Sequence, residues 1–229
     1  MMKTGIVTAH HHSERFSPKG NYYTDRLIDS LKYINFDYNF YLIDNQSNPP
    51  YEQSKLNQHT KYTYVHDQSI GGVTGAWNRG LYQAYNDNCD ILIQINYDVE
   101  LNEDINSFVS IIKTNQFKNN AVFGPVSVGL VGGPQRQFSR SNKIFISPEK
   151  VPLNGFMFGF TREVYTKYKY PNELFFEESP RTIWAGQEEV DFVRMKELGC
   201  VFFIVNSCWF QHDKLRGWKK AKKELLDTK

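Results

Sequence analysis

Cysteine is scarce in this chain. Cys89, Cys200 and Cys208 are its only three, and they stand far apart. That spacing excludes a disulfide framework and suits reduced core thiols in an intracellular protein. An excess of one charge is missing as well. Lys and Arg number 27 against 25 Asp and Glu, a formal net charge of +2, so no overall basic character argues for nucleic acid as a partner. Long hydrophobic runs are absent. The apolar part of "MMKTGIVTAHHH" is too short for a signal peptide, and no stretch approaches the roughly 20 residues of a transmembrane helix. A soluble, cytoplasmic protein is the expectation. Repeats and low-complexity linkers are lacking too, which points to one domain over 1–229.

What is present is an ordinary globular composition, 40% hydrophobic and 23% charged, in a chain of 229 residues long enough to bury a substantial core. Aromatics reach 15%, suiting either stacking surfaces or an aromatic core. The C-terminal "KLRGWKKAKKELLDTK" is a candidate basic helix over about 214–227. Such a run is usually a solvated helix face, although it could also lie on an acidic surface as a peripheral membrane contact.

Periodicity divides the rest into alternating elements. Strands are predicted at 3–9, 38–45, 61–67, 90–95, 120–128, 154–160 and 200–206. Leu27, Ile28, Leu31 and Ile34 mark a helix over about 22–34. Ala76, Trp77, Gly80, Leu81, Ala84 and Tyr85 line one face of a second, and a third covers 103–116. Thr161 is placed to cap "TREVYTKY". "GQEEVDFVRMKELG" makes a last helix with Val190, Val193 and Leu198 inward and Gly199 as its stop. Between them runs a Gly-rich, basic loop, "GLVGGPQRQFSRSNK". Alternating strands and helices predict an α/β fold, a mainly parallel central sheet flanked by helices. In such sheets ligands gather at the carboxyl ends of strands. The polar tips at His10, Asp44 with Asn45, Asp67 and Asp98 are all carboxyl ends.

Four stretches, taken in order, resemble the family 2 glycosyltransferases of the GT-A fold. They are "LIDNQS", "IGGVTGAWNRGLYQA", "LIQINYDVEL", and "LNGFMFGFTREVY" followed by "AGQEEVDFVRMKELGC" and "FQHD". The resemblance runs from about residue 3 to 213 and looks most like the rhamnosyltransferase-type branch. It implies a GT-A (Rossmann-like) sheet in a single domain. It also implies a hexosyl-type transfer from a UDP- or dTDP-sugar to a glycan or other hydroxyl acceptor, with inversion at the anomeric carbon.

The chemistry of that reaction distributes roles. A nucleoside diphosphate leaving group carries two to three negative charges, and a divalent cation offsets them. Asp98 and His212 match the family's metal positions, and a mixed oxygen and imidazole set suits Mn²⁺ better than Mg²⁺. Asn96 replaces the first acid of the Asp-x-Asp motif and falls, with Tyr97, to donor binding. Asp44 resembles the carboxylate that accepts the imide N–H of uracil or thymine. Thr8 and Ala9 would let the nucleotide pack on the first strand, and Gly155 would let backbone approach the donor sugar. Asn78 matches a donor-site position, where a satisfied buried amide is an equal reading. The general base maps to Glu189, with Glu188 as the alternative, both near a helix N-terminus. Asp191 contacts either structure or acceptor, and Trp184 could stack on an acceptor sugar. Arg136 and Arg140 could clamp the diphosphate. His10, His11 and His12 read as loop, because three consecutive residues cannot all face one ion.

Asn96 in place of the first acid, and Glu189 where the family has an Asp, keep a second reading open: a GT-A domain that binds carbohydrate or a partner without catalysis. A nucleotidyltransferase of related architecture would want a Gly-rich basic signature after the first strand, which "TAHHHSERFSPKG" lacks.

Overall fold

A computed structural model describes residues 2–15, 17–58, 62–67, 72–127, 130, 133–136, 141–178 and 187–212. For 57, 58, 67, 187 and 188 the description stops at the backbone. Trp184, Arg140 and the basic stretch 214–227 lie outside the described residues.

The chain opens with β1 (Thr4–His10), α1 (Gly20–Ser30), β2 (Tyr38–Asn45) and β3 (Tyr62–Asp67). It continues with α2 (Gly72–Asn86), β4 (Ile91–Asn96), β5 (Val99–Glu100) and α3 (Asp104–Thr114). The second half holds β6 (Ala121–Val126), β7 (Ile144–Ile146), β8 (Met157–Thr161), α4 (Arg162–Tyr168), α5 (Gln187–Glu197), β9 (Val201–Trp209) and β10 (Gln211–His212). The central sheet has eight strands in the order β3-β2-β1-β4-β8-β6-β9-β7. β1, β2, β3 and β4 are mutually parallel, as are β6 and β9, whereas β8 and β7 run antiparallel to their neighbours. The fold class is therefore as expected, α/β with a mainly parallel sheet between helices.

Each face of the sheet carries its own core. Ile6, Phe40 and Leu42 pack with Leu27 and Ile28 of α1 and with Phe108 and Ile112 of α3. Val7, Tyr41 and Ile43 pack with Ala76, Trp77 and Leu81 of α2 and with Tyr165 and Phe192 of α4 and α5. The alternation of β1 and β2 thus sends odd and even residues to opposite layers, both apolar, which is why these strands read as continuous hydrophobic runs. α2 lies unusually close to β1. A Cβ added to Gly80 would sit 2.3 Å from Val7 Cγ1, so only glycine permits that approach.

Several expectations change. α1 ends at Ser30 and gives way to a 3₁₀ turn, Leu31–Tyr33. Thr161 does occupy the N-cap position of α4, but it makes no side-chain cap and donates instead to the Lys118 carbonyl at 3.2 Å. Gly199 ends α5 as expected, at φ +88. The inward face of α5, however, is Asp191, Phe192 and Met195, while Val190 and Leu198 are more than half exposed. Two aliphatic residues lost the core to an aromatic, a methionine and a carboxylate that finds partners. His10 is not loop. It is the last residue of β1 and fully buried.

Candidate functional site

The strand order reverses between β1 and β4, with β2 on one side of β1 and β4 on the other. The crevice at their carboxyl ends is the topological switch point of the sheet. Ala9 of β1 stands opposite Asn96 of β4 there, and His10 opposite Asp44 of β2.

Beyond Asn96 the chain turns and forms β5, which pairs antiparallel with β10, Val99 opposite His212. This short ribbon is held by apolar anchors on its near side, Val99 and Phe210, both buried. The Trp209 N–H donates to Asp104 Oδ2 at 2.9 Å, and Asn102 Nδ2 donates to the Trp209 carbonyl at 2.7 Å. The result brings His212 Nε2 to 3.3 Å from Asp98 Oδ1. Asp98 is 7% exposed, and the His212 ring lies against Phe156 with centroids 5.5 Å apart. Two donors about 2.2 Å from one six-coordinate ion stand about 3 Å apart, so the pair fits as two neighbouring ligands of one cation. Among the described residues no group of three or more His, Cys, Asp or Glu could hold a metal.

Asn96 and Tyr97 are half-buried at the same tip. Gln94, fully buried two residues earlier, faces the Asn96 amide at 3.1 Å. With the amide turned to the orientation its neighbours favour, its oxygen accepts from the Trp77 indole at 2.8 Å while its nitrogen donates to the Gly155 carbonyl at 3.1 Å. Gln135, from the Gly-rich loop, is likewise buried. It donates to the carbonyls of Pro125 (2.8 Å) and Met157 (3.1 Å) and accepts from the Asn154 N–H at 2.5 Å. Two buried amides therefore fix the turn that presents Gly155. Sequence reading missed both, since a lone Gln in a strand or loop carries no pattern.

Asp44 is 0% exposed. Its Oδ2 accepts from the Tyr51 N–H and the Tyr64 hydroxyl, each at 2.8 Å, and His66 Nδ1 lies 3.2 Å away. Burial alone would raise its pKa. The Ser47 hydroxyl, the Tyr51 N–H, nearby His10 and Tyr64 overcome that and hold the carboxyl below its ordinary value. Tyr64 and His66 alternate on β3, so the period of that strand was the available signal for them. Beside Asp44, His10 Nδ1 is 2.7 Å from Thr24 Oγ1. Thr8 and Ala9 are buried on β1. Tyr97 packs edge-on against His10 at 6.1 Å, and burial together with the Asp98 charge pushes its hydroxyl pKa up.

The remaining candidates have structural ties. The Asn78 amide is fully engaged. It accepts from the N–H groups of Phe175 and Phe176 (3.1 and 2.9 Å) and donates to the Phe176 carbonyl (2.8 Å) and Glu178 Oε1 (3.1 Å). The hydrogen-bonding capacity of this amide is met within the protein. Asp191, 0% exposed, accepts from the Tyr170 hydroxyl at 2.7 Å, the Glu177 N–H at 3.0 Å and Arg194 Nε at 3.2 Å. Of structure and acceptor, it has the structural partners. Glu189 is exposed in the first turn of α5, and Arg136 is exposed at the edge of the Gly-rich loop. The side chain of Glu188 lies outside the described residues. None of the three cysteines is in a disulfide and all are buried, and burial pushes the Cys200 thiol up to about 12.

No family model and no curated protein matches the sequence. Solved structures do. Staphylococcus aureus TarS, residues 1–349, superposes with a TM-score of 0.62 at 13% identity, covering 98% of this chain and 64% of that one. Its complex with UDP-GlcNAc gives 0.64 at 15%, covering 93% and 59%. GalNAc-T7 bound to UDP, GalNAc and Mn²⁺ gives 0.66 at 15%, covering 95% and 45%. The fold is GT-A. This GT-A chain spans about half to two thirds of the length of those structures, and no described helix is long and apolar enough to cross a membrane.

Burial of His10 makes stability depend on pH. Desolvation lowers its pKa from 6.5 to about 4, the charges of His11 and His12 adding to that and those of Asp44 and Asp25 opposing it. Above the unfolded value of 6.5 neither state is protonated and the fold bears no cost. As pH falls from 6.5 towards about 4, the unfolded chain binds a proton the folded chain refuses, so stability falls by about 3 kcal/mol and then levels. Asp44 acts in the same direction at lower pH, because its depressed pKa stabilises the fold above the ordinary carboxylate value and that contribution disappears on acidification. Urea unfolding at intervals between pH 7 and 4 should show this slope, and His10→Gln should flatten it.

Proposed function

We propose that this GT-A domain is an inverting glycosyltransferase of the hexosyl type, taking a UDP- or dTDP-sugar as donor and a glycan or other hydroxyl as acceptor. The observation that carries the reading is the meeting of Asp98 and His212, far apart in sequence, at 3.3 Å beside the switch point of the sheet. The resemblance to family 2, and to its rhamnosyltransferase-type branch, supports it. So does the fold shared with TarS bound to UDP-GlcNAc and GalNAc-T7 bound to UDP and Mn²⁺.

In this reading Asp98 and His212 hold a divalent cation, Mn²⁺ in preference to Mg²⁺. Bound there, the ion offsets the charge of the departing diphosphate. Asp44 accepts the imide N–H of the base, Thr8 and Ala9 form the wall on which the nucleoside packs, and Asn96 and Tyr97 contact ribose or donor sugar. Gly155 leaves room for that sugar. The acceptor hydroxyl attacks the anomeric carbon from the face opposite the diphosphate and loses its proton to Glu189 or Glu188 as the new bond forms. Trp184 offers a stacking face for the acceptor. Asn78 and Asp191 act at one remove, fixing the 175–178 segment and the helix that carries the base. A cytoplasmic location and peripheral membrane contact through 214–227 complete the proposal.

Isothermal titration of the protein with UDP, dTDP, their sugars and CDP, with and without Mn²⁺, tests this reading. Metal-dependent binding of UDP or dTDP species is expected. Binding of free glycans with no nucleotide binding under any metal condition would instead favour a carbohydrate-binding GT-A domain.

A further inference from the structure

Three polar atoms on the α1-facing side of the sheet tip are sealed from water with nothing to bond. Thr8 Oγ1, His10 Nε2 and Asp44 Oδ1 have no hydrogen-bond partner, and all three residues are 0% exposed. Thr8 and His10 alternate on β1, and His10 is the register partner of Asp44 on the adjacent parallel strand, so the three side chains share one face. A single buried polar atom without a partner is an ordinary defect, but three at neighbouring positions point to something that fills the corner.

The two best-defined members are complementary. The neutral imidazole of His10 carries one proton, and burial keeps it neutral down to about pH 4. His10 Nδ1 is 2.7 Å from Thr24 Oγ1, and we assign the hydroxyl as donor in that pair, which puts the ring proton on Nε2 and makes Nε2 a donor. Asp44 Oδ2 is already occupied by the Tyr51 N–H and the Tyr64 hydroxyl, so Oδ1 is the acceptor left over. A donor and an acceptor therefore stand side by side on adjacent strands.

We infer that His10 Nε2 and Asp44 Oδ1 together read the imide edge of a uracil or thymine base, His10 donating to a ring carbonyl while Asp44 accepts the ring N–H. This makes His10 a specificity-determining residue, and it rests on the nucleotide-sugar reading above. Uracil and thymine offer an N–H beside a carbonyl. Cytosine offers a lone pair where the N–H would be, and it meets the Asp44 carboxylate with repulsion. Tyr51 closes the corner, its ring edge-on to His10 at 5.0 Å and its hydroxyl donating to Asp25 Oδ1 at 2.7 Å. A base reaching both atoms displaces that ring.

The test pairs a protein change with a ligand change. UDP, 2-thio-UDP and 4-thio-UDP are titrated into the wild type, His10→Ala and His10→Gln with Mn²⁺ present. In the wild type, the analogue whose sulfur replaces the contacted carbonyl should bind about tenfold more weakly than UDP, because sulfur is the poorer acceptor. His10→Ala should lose about tenfold for UDP and bind that analogue and UDP alike, and His10→Gln, which keeps a donor, should recover part of the loss. Equal UDP-to-thio ratios in wild type and His10→Ala, with UDP binding intact, would overturn the inference and leave buried water in the corner while the donor reading stands. A wild type that binds no UDP would sink both. If His10→Ala does not fold, His10→Gln and the wild-type thio ratio still decide.

Discussion

Asp98→Ala is expected to remove metal-dependent nucleotide binding and to reduce sugar transfer by on the order of a hundredfold or more. The reason is positional. Among the described residues, the β5–β10 ribbon brings the Asp98 carboxylate to His212, and the two stand 3.3 Å apart. Without it the described pair is reduced to the imidazole, which by itself holds a divalent ion poorly against water. Metal-independent contacts with the base, made at Asp44 on the far side of the switch point, should survive. Titration with UDP should then show weak binding that no longer responds to Mn²⁺. His212→Ala should give the same pattern in milder form, since a carboxylate alone retains some affinity for hard cations. A variant that kept the full Mn²⁺ response would show that Asp98 is no metal ligand. The proposed function would then have to rest on another site.

The second large effect concerns stability. Asp191→Ala should destabilise the fold by about 3–5 kcal/mol, read as a lowered denaturant midpoint with an unchanged slope. The carboxylate is fully buried on α5 and takes hydrogen bonds from Tyr170, Glu177 and Arg194. Its removal leaves a guanidinium, a hydroxyl and an amide N–H with an unfilled partner at once. Glu177 belongs to the stretch that Asn78 also grips, so the loss loosens the attachment of α5 to α2 through that stretch. Asp191→Asn, which keeps an acceptor oxygen, should lose less. An acceptor-binding role would give the opposite signature, a raised KM with stability unchanged.

Much of the architecture could be read from pattern. The four parallel strands are short apolar runs bounded by polar tips, and the helices between them show clear 3.6-residue periods. Where the pattern failed, a physical competitor can be named. α5 carries Val190 and Leu198 on what looked like its apolar face, but the space under it is filled by Phe192 and Met195, with Phe192 edge-on to Phe158 at 5.1 Å. His10 reads as loop in the sequence because three consecutive histidines cannot all face one ion and follow directly on the first apolar strand. It is strand because Thr24 and the edges of Tyr51 and Tyr97 give the imidazole a buried place. β5 and β10 have two residues each, below any period that could announce them. The antiparallel direction of β8 is likewise a matter of where its neighbours lie, and nothing within 157–161 encodes it.

By itself the sequence determined the fold class and the strand ends at which a ligand would sit, because burial and periodicity act over a few residues. Its resemblance to the family 2 glycosyltransferases, not periodicity, singled out Asp44, Asp98 and His212 as candidates. Only the tertiary structure decided that Asp98 and His212 face each other, that Asn78 and Asp191 are tied to the 175–178 segment, and that His10 shares a sealed corner with Asp44. Those are contacts between strands and helices distant in the chain. They are set by sheet order and register, which depend on how all the elements pack together and not on any one of them.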